Sequence, residues 1–220
     1  SMTADDDTSE ARPFADALAT QHYQRKECIL WGSLFESHLA DLENRLAGVC
    51  DPGCTEFNEH EMIFSLRTGP EPDVTLRLRR KFNSDPISSN QWRFRYVGRP
   101  EPDVNCPAVV RKVIDSVAHS HNMMDFVKTL GLRMDYEYIS KGKVWTCGML
   151  KIMVSNIRKT KQPGNYEASM LEKLSDSYLV ELSATIPDNM DYNPVARQLK
   201  AFSDQMYPLV EMQKVEYWRK

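Results

Sequence analysis

Glu59-His60-Glu61-Met62-Ile63-Phe64-Ser65-Leu66 alternates along its length, with Met62, Phe64 and Leu66 on one side and Glu59, Glu61 and Ile63 on the other. The pattern repeats in Val74–Lys81, where Val74, Leu76 and Leu78 oppose Thr75, Arg77, Arg79 and Lys81. It repeats again in Gln91–Val97, where Trp92, Phe94 and Tyr96 oppose Arg93 and Arg95. A period of two is the signature of a strand with two unlike faces. Three such runs separated by Gly, Pro, Asn and Ser predict an antiparallel meander.

Working outward toward the N-terminus, Cys28-Ile29-Leu30-Trp31-Gly32 predicts a strand. Ser33-Leu34-Phe35-Glu36 fits a capping box, with Phe35, Leu39, Leu42, Leu46 and Val49 as one apolar helix face. Toward the C-terminus, Pro107 with Val110, Val113, Ile114 and Val117 predicts a short helix. Asn122 to Leu130 predicts another, stopped by Gly131. Strands resume at Leu132–Tyr138, Lys143–Met149, Leu150–Lys159 and Tyr178–Ile186. Asn193-Pro194 opens a helix through Val195, Leu199, Phe202 and Met206, and Val210–Tyr217 predicts a last strand. Eight or nine strands and about four helices without a linker predict one mainly β (α+β) domain over residues 25–220. An antiparallel sheet that large tends to close, because closure removes unpaired edges. The expected fold is a closed or nearly closed barrel of about eight strands with peripheral helices; an open α+β sheet competes with it. Residues 1–24 hold the acidic stretch Ala4-Asp5-Asp6-Asp7-Thr8-Ser9-Glu10 and predict a largely disordered tail. Ser1 before Met2 reads as a tag remnant.

Composition narrows the function. The chain has 220 residues, 41% of them hydrophobic, and a formal net charge of −3, which disfavours nucleic acid as the main partner. No apolar run approaches the ~20 residues of a membrane span. Cys28, Cys50, Cys54, Cys106 and Cys147 are odd in number and widely spread, which predicts reduced thiols in a cytosolic or nuclear setting.

The polar sides of the strands gather Glu59, Glu61, Arg77, Arg79, Lys81, Arg93, Arg95, Asp135 and Glu137. Pointing inward, they would line a charged tunnel suited to phosphate and a divalent metal. Pointing outward, they would form a ladder of cross-strand ion pairs, each worth ~0.2–1 kcal/mol. The outward reading is preferred, since burying many unliganded charges is costly. Glu59-His60-Glu61 echoes the Glu-x-Glu-x-Lys strand of triphosphate tunnel enzymes, but Ile63 stands at the lysine position. Cys50-Asp51-Pro52-Gly53-Cys54 with His60 lacks the second ligand pair of a structural zinc site, and His119 and His121 fit the end of a helix better than a metal pair. No catalytic residue, metal site or cofactor is therefore expected. In Leu150–Ile157 both faces are apolar at the centre, so both must be covered. Trp145, Met149 and Met153 would share the second face if pairing is regular, and they are the candidate partner-binding residues. A helix of the same chain could equally cover that face.

Seven phrases in order carry a resemblance: His60-Glu61-Met62-Ile63-Phe64, Leu76-Arg77-Leu78-Arg79-Arg80, Trp92–Glu101, Asp125–Asp135, Met149–Val154, Pro163-Gly164-Asn165 and Ser177–Ser183. Together they resemble the metazoan Mediator subunit 18 family over residues 27 to 215. The resemblance implies a barrel similar to the triphosphate tunnel enzymes but without their activity. It also implies a nuclear role as a non-enzymatic subunit of the Mediator head module, a transcription coactivator that bridges regulators and RNA polymerase II. The implied partners are the related barrel of Mediator subunit 20 and a C-terminal helix of Mediator subunit 8. The alternative function is a metal-dependent triphosphatase of the tunnel type. The long acidic start and the long Lys159–Asp176 loop depart from the vertebrate relatives.

Overall fold

Strands dominate the computed structural model, which describes residues 24–66, 74–82 and 90–215. They are β1 (Arg25–Phe35), β2 (Thr55–Leu66), β3 (Val74–Lys81), β4 (Gln91–Pro100), β5 (Val109–His119), β6 (Arg133–Cys147), β7 (Leu150–Thr160), β8 (Leu171–Lys173) and β9 (Ser177–Pro187). Three α-helices accompany them: α1 (Leu39–Val49), α2 (Met123–Thr129) and α3 (Asn193–Met206). The strands run β6-β2-β3-β4-β5-β1-β9-β7, and β7 pairs back onto β6. Every pairing is antiparallel, so eight strands close a barrel as expected. The three-residue β8 adds to β7 at Arg158–Thr160, beyond the stretch that β9 occupies.

The main apolar core lies outside the barrel wall, between it and the helices. Leu30, Ile152, Leu182 and Ile186 from the strands meet Leu42 and Leu46 of α1 and Leu199 and Phe202 of α3. Burying each such side chain contributes roughly 1.5–3 kcal/mol. In α3, Val195, Ala196, Leu199, Phe202, Ser203 and Met206 recur at helical spacing, so one continuous stripe faces the wall. Pro194 sits in its first turn, where a missing N–H costs nothing. A second cluster, Met62, Phe64, Leu78 and Trp92, is covered by Met123 and Val127 of α2. The C-terminal segment crosses β1 at Gly32, where a Cβ would lie 2.6 Å from Val210 Cγ1. Trp31 and Gln213 exchange backbone hydrogen bonds beside it.

Several expected elements differ. Ser33 and Phe35 belong to β1, and no side chain caps the 3-10 turn Glu36–His38 that precedes α1. Strand pairing with β9 extends through Phe35↔Ser177, and this ladder wins over the capping box. The helix expected after Pro107 is β5 instead. Its Val109, Val110 and Val113 are buried in the wall, where β-branched residues pack well. Leu132–Tyr138 and Lys143–Met149, read as two strands, form the single fifteen-residue β6. The strand expected at Val210–Tyr217 reduces to one bridge, Trp31↔Gln213, and its last two residues lie outside the described ones. The acidic tail, apart from Gln24, also lies outside the described residues.

Candidate functional site

The charged strand faces point into the bore, against the outward reading. Alternation places Met62, Phe64, Leu76, Leu78 and Trp92 on the outer side beneath α2, which leaves Glu59, Glu61, Arg77, Arg79, Arg93 and Arg95 inside. The physical reason is coverage: helices bury the apolar face from outside, and ion pairs offset the cost of the polar face within. β2 and β3 set Glu61 opposite Arg79. Arg79 donates to Glu61 Oε2 from Nε at 3.1 Å and from Nη2 at 2.7 Å. Arg77 Nε stands 2.9 Å from Glu61 Oε1 as an ion pair that lacks hydrogen-bond alignment. Arg79 also reaches Glu59 at 3.3 Å, and Arg93 reaches it at 3.6 Å. Arg95 forks onto Asp115 at 2.7 and 2.9 Å and donates to Glu27 at 2.6 Å.

Burial opposes ionisation of Glu61, but the adjoining Arg77 and Arg79 outweigh it and hold the carboxyl below the usual carboxylate range. Glu181 behaves oppositely. Burial, joined by the charges of Glu61 and Glu27, raises its pKa, and Arg77 and Arg79 offset only part of that. Its Oε1 accepts from Trp31 Nε1 at 3.3 Å. Across the bore, loss of solvent and the nearby Arg79 and Arg95 push the Lys151 amine down. Lys151 forms no ion pair with a described residue at the geometries that bind its neighbours. These cations surround a cavity of about 300 Å³.

One residue expected on the charged face sits elsewhere. Glu137 lies outside the bore, 2.8 Å from His60 Nε2, and accepts from the Tyr166 hydroxyl at 2.7 Å. The His60 hydrogen bond, with that of Tyr166, holds Glu137 below the usual range despite burial. Tyr138 takes the bore position instead, opposite Glu61. Asp135 accepts from Ser65 Oγ at 2.9 Å. His60 is thus committed to Glu137 and not grouped with Cys50 and Cys54. Among the described residues no set of three His, Cys, Asp or Glu side chains is placed to hold a metal ion. All five cysteines are free thiols, and burial pushes Cys28 up to about 12. His121 pairs with Asn90 at 3.2 Å.

The candidate partner residues are not brought to one face. Trp145 pairs with Ile152 and is buried in the main core beneath the helices. Met153 pairs with Glu181 and faces the bore. Met149 is half exposed in the tight turn made by Gly148 at φ 58°. The two apolar faces of Leu150–Ile157 are both covered by this chain, one by α1 and α3 and the other by the far wall of the bore. Sequence reasoning missed Glu27, Asp115, Lys151 and Glu181 as bore residues. The available signal was a single charge inside an apolar run, as Lys151 is in Leu150–Val154 and Glu181 in Leu179–Leu182.

Comparison with known proteins then settles the family. The model described as Med18 protein matches residues 26–219. The chain belongs to the Mediator subunit 18 family. Mediator of RNA polymerase II transcription subunit 18 from Caenorhabditis elegans is 50% identical over 200 residues, covering 90% of this chain and 86% of that protein. The Danio rerio protein of the same name is 38% identical over 192 residues, covering 86% and 88%. Among solved structures, a chain of the Schizosaccharomyces pombe Mediator head module is similar with a TM-score of 0.69 at 17% identity, covering 86% of this chain and 98% of that one. The Mimivirus capping enzyme triphosphatase is similar with a TM-score of 0.53 at 10% identity, covering 94% and 99%. At those identities the likeness is one of fold. The Mediator subunit 18 barrel thus shares an architecture with tunnel enzymes, as the resemblance implied.

Proposed function

We propose that this Mediator subunit 18 family member is a non-enzymatic subunit of the Mediator coactivator, working in the nucleus by holding other head-module subunits. The observation that carries the reading is the 50% identity to the Caenorhabditis elegans subunit across 200 residues. The bore chemistry favours it over a triphosphatase. Metal-dependent phosphoryl transfer needs carboxylates free to hold cations. Here Glu59 and Glu61 are engaged by Arg77, Arg79 and Arg93, and Ile63 stands where a phosphate-binding lysine would be.

The partners assigned to it are the subunit 20 barrel and a C-terminal helix of subunit 8, with RNA polymerase II reached indirectly. Of Trp145, Met149 and Met153, the exposed Met149 is the one assigned to a partner contact; Trp145 and Met153 support the wall behind it. Co-purification of the full chain with subunit 20 and with a subunit 8 helix peptide tests the reading, with micromolar or tighter binding expected. Failure of both to bind folded chain removes the partner assignment. Incubation with Mg²⁺ or Mn²⁺ and a nucleoside triphosphate should release no phosphate above background, and metal-dependent release would overturn the non-enzymatic reading.

A further inference from the structure

We propose that the bore is a binding site for a phosphate-chain anion, held by Arg93 and Lys151 and not cleaved. The cavity of about 300 Å³ is lined by Arg77, Arg79, Arg93, Arg95 and Lys151 against one carboxylate, Asp115. An adjoining section of about 250 Å³ shares four of those cations and adds Glu27 and Glu181. Glu59 and Glu61 lie against these cations too, so the bore as a whole is close to charge balance, and the positive potential that low-dielectric walls focus on a small anion is that of the least-paired cations.

The five cations are not equally committed. Arg77 and Arg79 are bound to Glu61, and Arg95 directs Nε, Nη1 and Nη2 to Asp115 and Glu27. Among the described residues Arg93 has only a 3.6 Å ion pair with Glu59, and its side chain is 62% exposed. Lys151 lines the same cavity and has no ion pair with a described residue, and burial, joined by the neighbouring Arg79 and Arg95, pushes its pKa down. An anion placed between Arg93 and Lys151 would relieve the repulsion from Arg79 and Arg95 and collect donors that no carboxylate of the described residues hydrogen-bonds.

A phosphate chain fits the donor set better than an acidic peptide. Guanidinium forks match the paired oxygens of a phosphoryl group. A closed ring of eight strands has room for one small ligand and offers no free edge with which an extended peptide could pair. Retention without cleavage follows from the same pairing, because the Glu59 and Glu61 carboxylates that a catalytic metal would need are engaged by arginines.

The test is calorimetric titration of the full chain with inorganic tripolyphosphate in EDTA at 0.15 M ionic strength, repeated with ATP and with a hexa-aspartate peptide. One-to-one binding is expected. Lys151→Gln and Arg93→Gln should each weaken it about tenfold or more, as loss of a charge-assisted contact does. Lys200→Gln makes the same charge change at the exposed Lys200–Asp204 pair and should leave binding unchanged. Equal affinity for ATP places recognition on the phosphates, and tighter ATP binding extends the site to a nucleotide. No binding, equal weakening by all three substitutions, or a preference for hexa-aspartate would overturn the proposal. The melting temperature of each variant separates lost binding from lost folding. Neither result bears on co-purification with head-module subunits, which reads the family function separately.

Discussion

Gly142 and Val154 approach so closely across the β6–β7 seam that a Cβ on Gly142 would lie 2.0 Å from the Val154 carbonyl oxygen. The obstacle is backbone, so no side chain can move to make room. The glycine marks the point where two long strands bend together, and it lies in the pairing that joins the two ends of the strand order. Gly142→Ala should therefore force the seam apart and destabilise the fold by about 3 kcal/mol. Urea denaturation followed by tryptophan fluorescence checks this, and a midpoint unchanged from the unsubstituted chain would contradict it.

Glu181 predicts a substitution that stabilises. Its folded pKa is raised, so the fold favours the neutral acid; the contribution to stability is complete below the unfolded carboxylate value and is lost as pH rises through the folded one. Glu181→Gln imitates the neutral form and can still accept from Trp31 Nε1. The variant should melt higher than the unsubstituted chain near neutral pH and equally near pH 4. A melting difference that grew toward acid would contradict this sign.

Glu61 predicts the reverse dependence. Its depressed pKa means that its contribution is complete above the unfolded carboxylate value and is lost as pH falls through the folded one. Glu61→Gln leaves Arg77 and Arg79 without their shared counter-charge, and breaking such a buried pair costs ~3–5 kcal/mol. The loss should be largest at neutral pH and shrink on acidification, as thermal melts across pH would record.

Tyr166 ties the segment after β7 to the barrel through the ionised Glu137. Tyr166→Phe removes a hydrogen bond to a charged acceptor, costing ~1.5–3 kcal/mol. Faster proteolysis between Lys161 and Met170 should accompany the lower stability.

Leu199 is fully buried where α3 meets the wall. Leu199→Ala should cost ~2–5 kcal/mol through lost burial and the cavity left behind. Circular dichroism in urea measures it directly.

The strands were legible because Met62/Phe64, Leu76/Leu78 and Trp92/Phe94 alternate against charged neighbours without interruption. The sense of the alternation was not. A period of two separates two faces but does not say which is enclosed, and the deciding partner, α2, follows all three strands in sequence. Val110, Val113, Ile114 and Val117 suit helical spacing as well as an irregular strand; pairing with β4 and β1 resolved them as β5. Trp145 and Met153 were grouped by assuming that their faces agree. The register sets Trp145 against Ile152 and Val144 against Met153, which places them on opposite sides of the wall.

The pairing of β1 with β9 has a consequence for how the chain comes to exist. Arg25 is paired in register with Pro187, so the ring cannot shut while the latter is still inside the ribosome. During synthesis β1 must wait for every strand from β2 to β9 to emerge, with one of its two neighbours missing. Such long-range joining slows folding and leaves nascent edges open to wrong partners. A cell making this protein therefore has reason to shield β1 until β9 has left the ribosome.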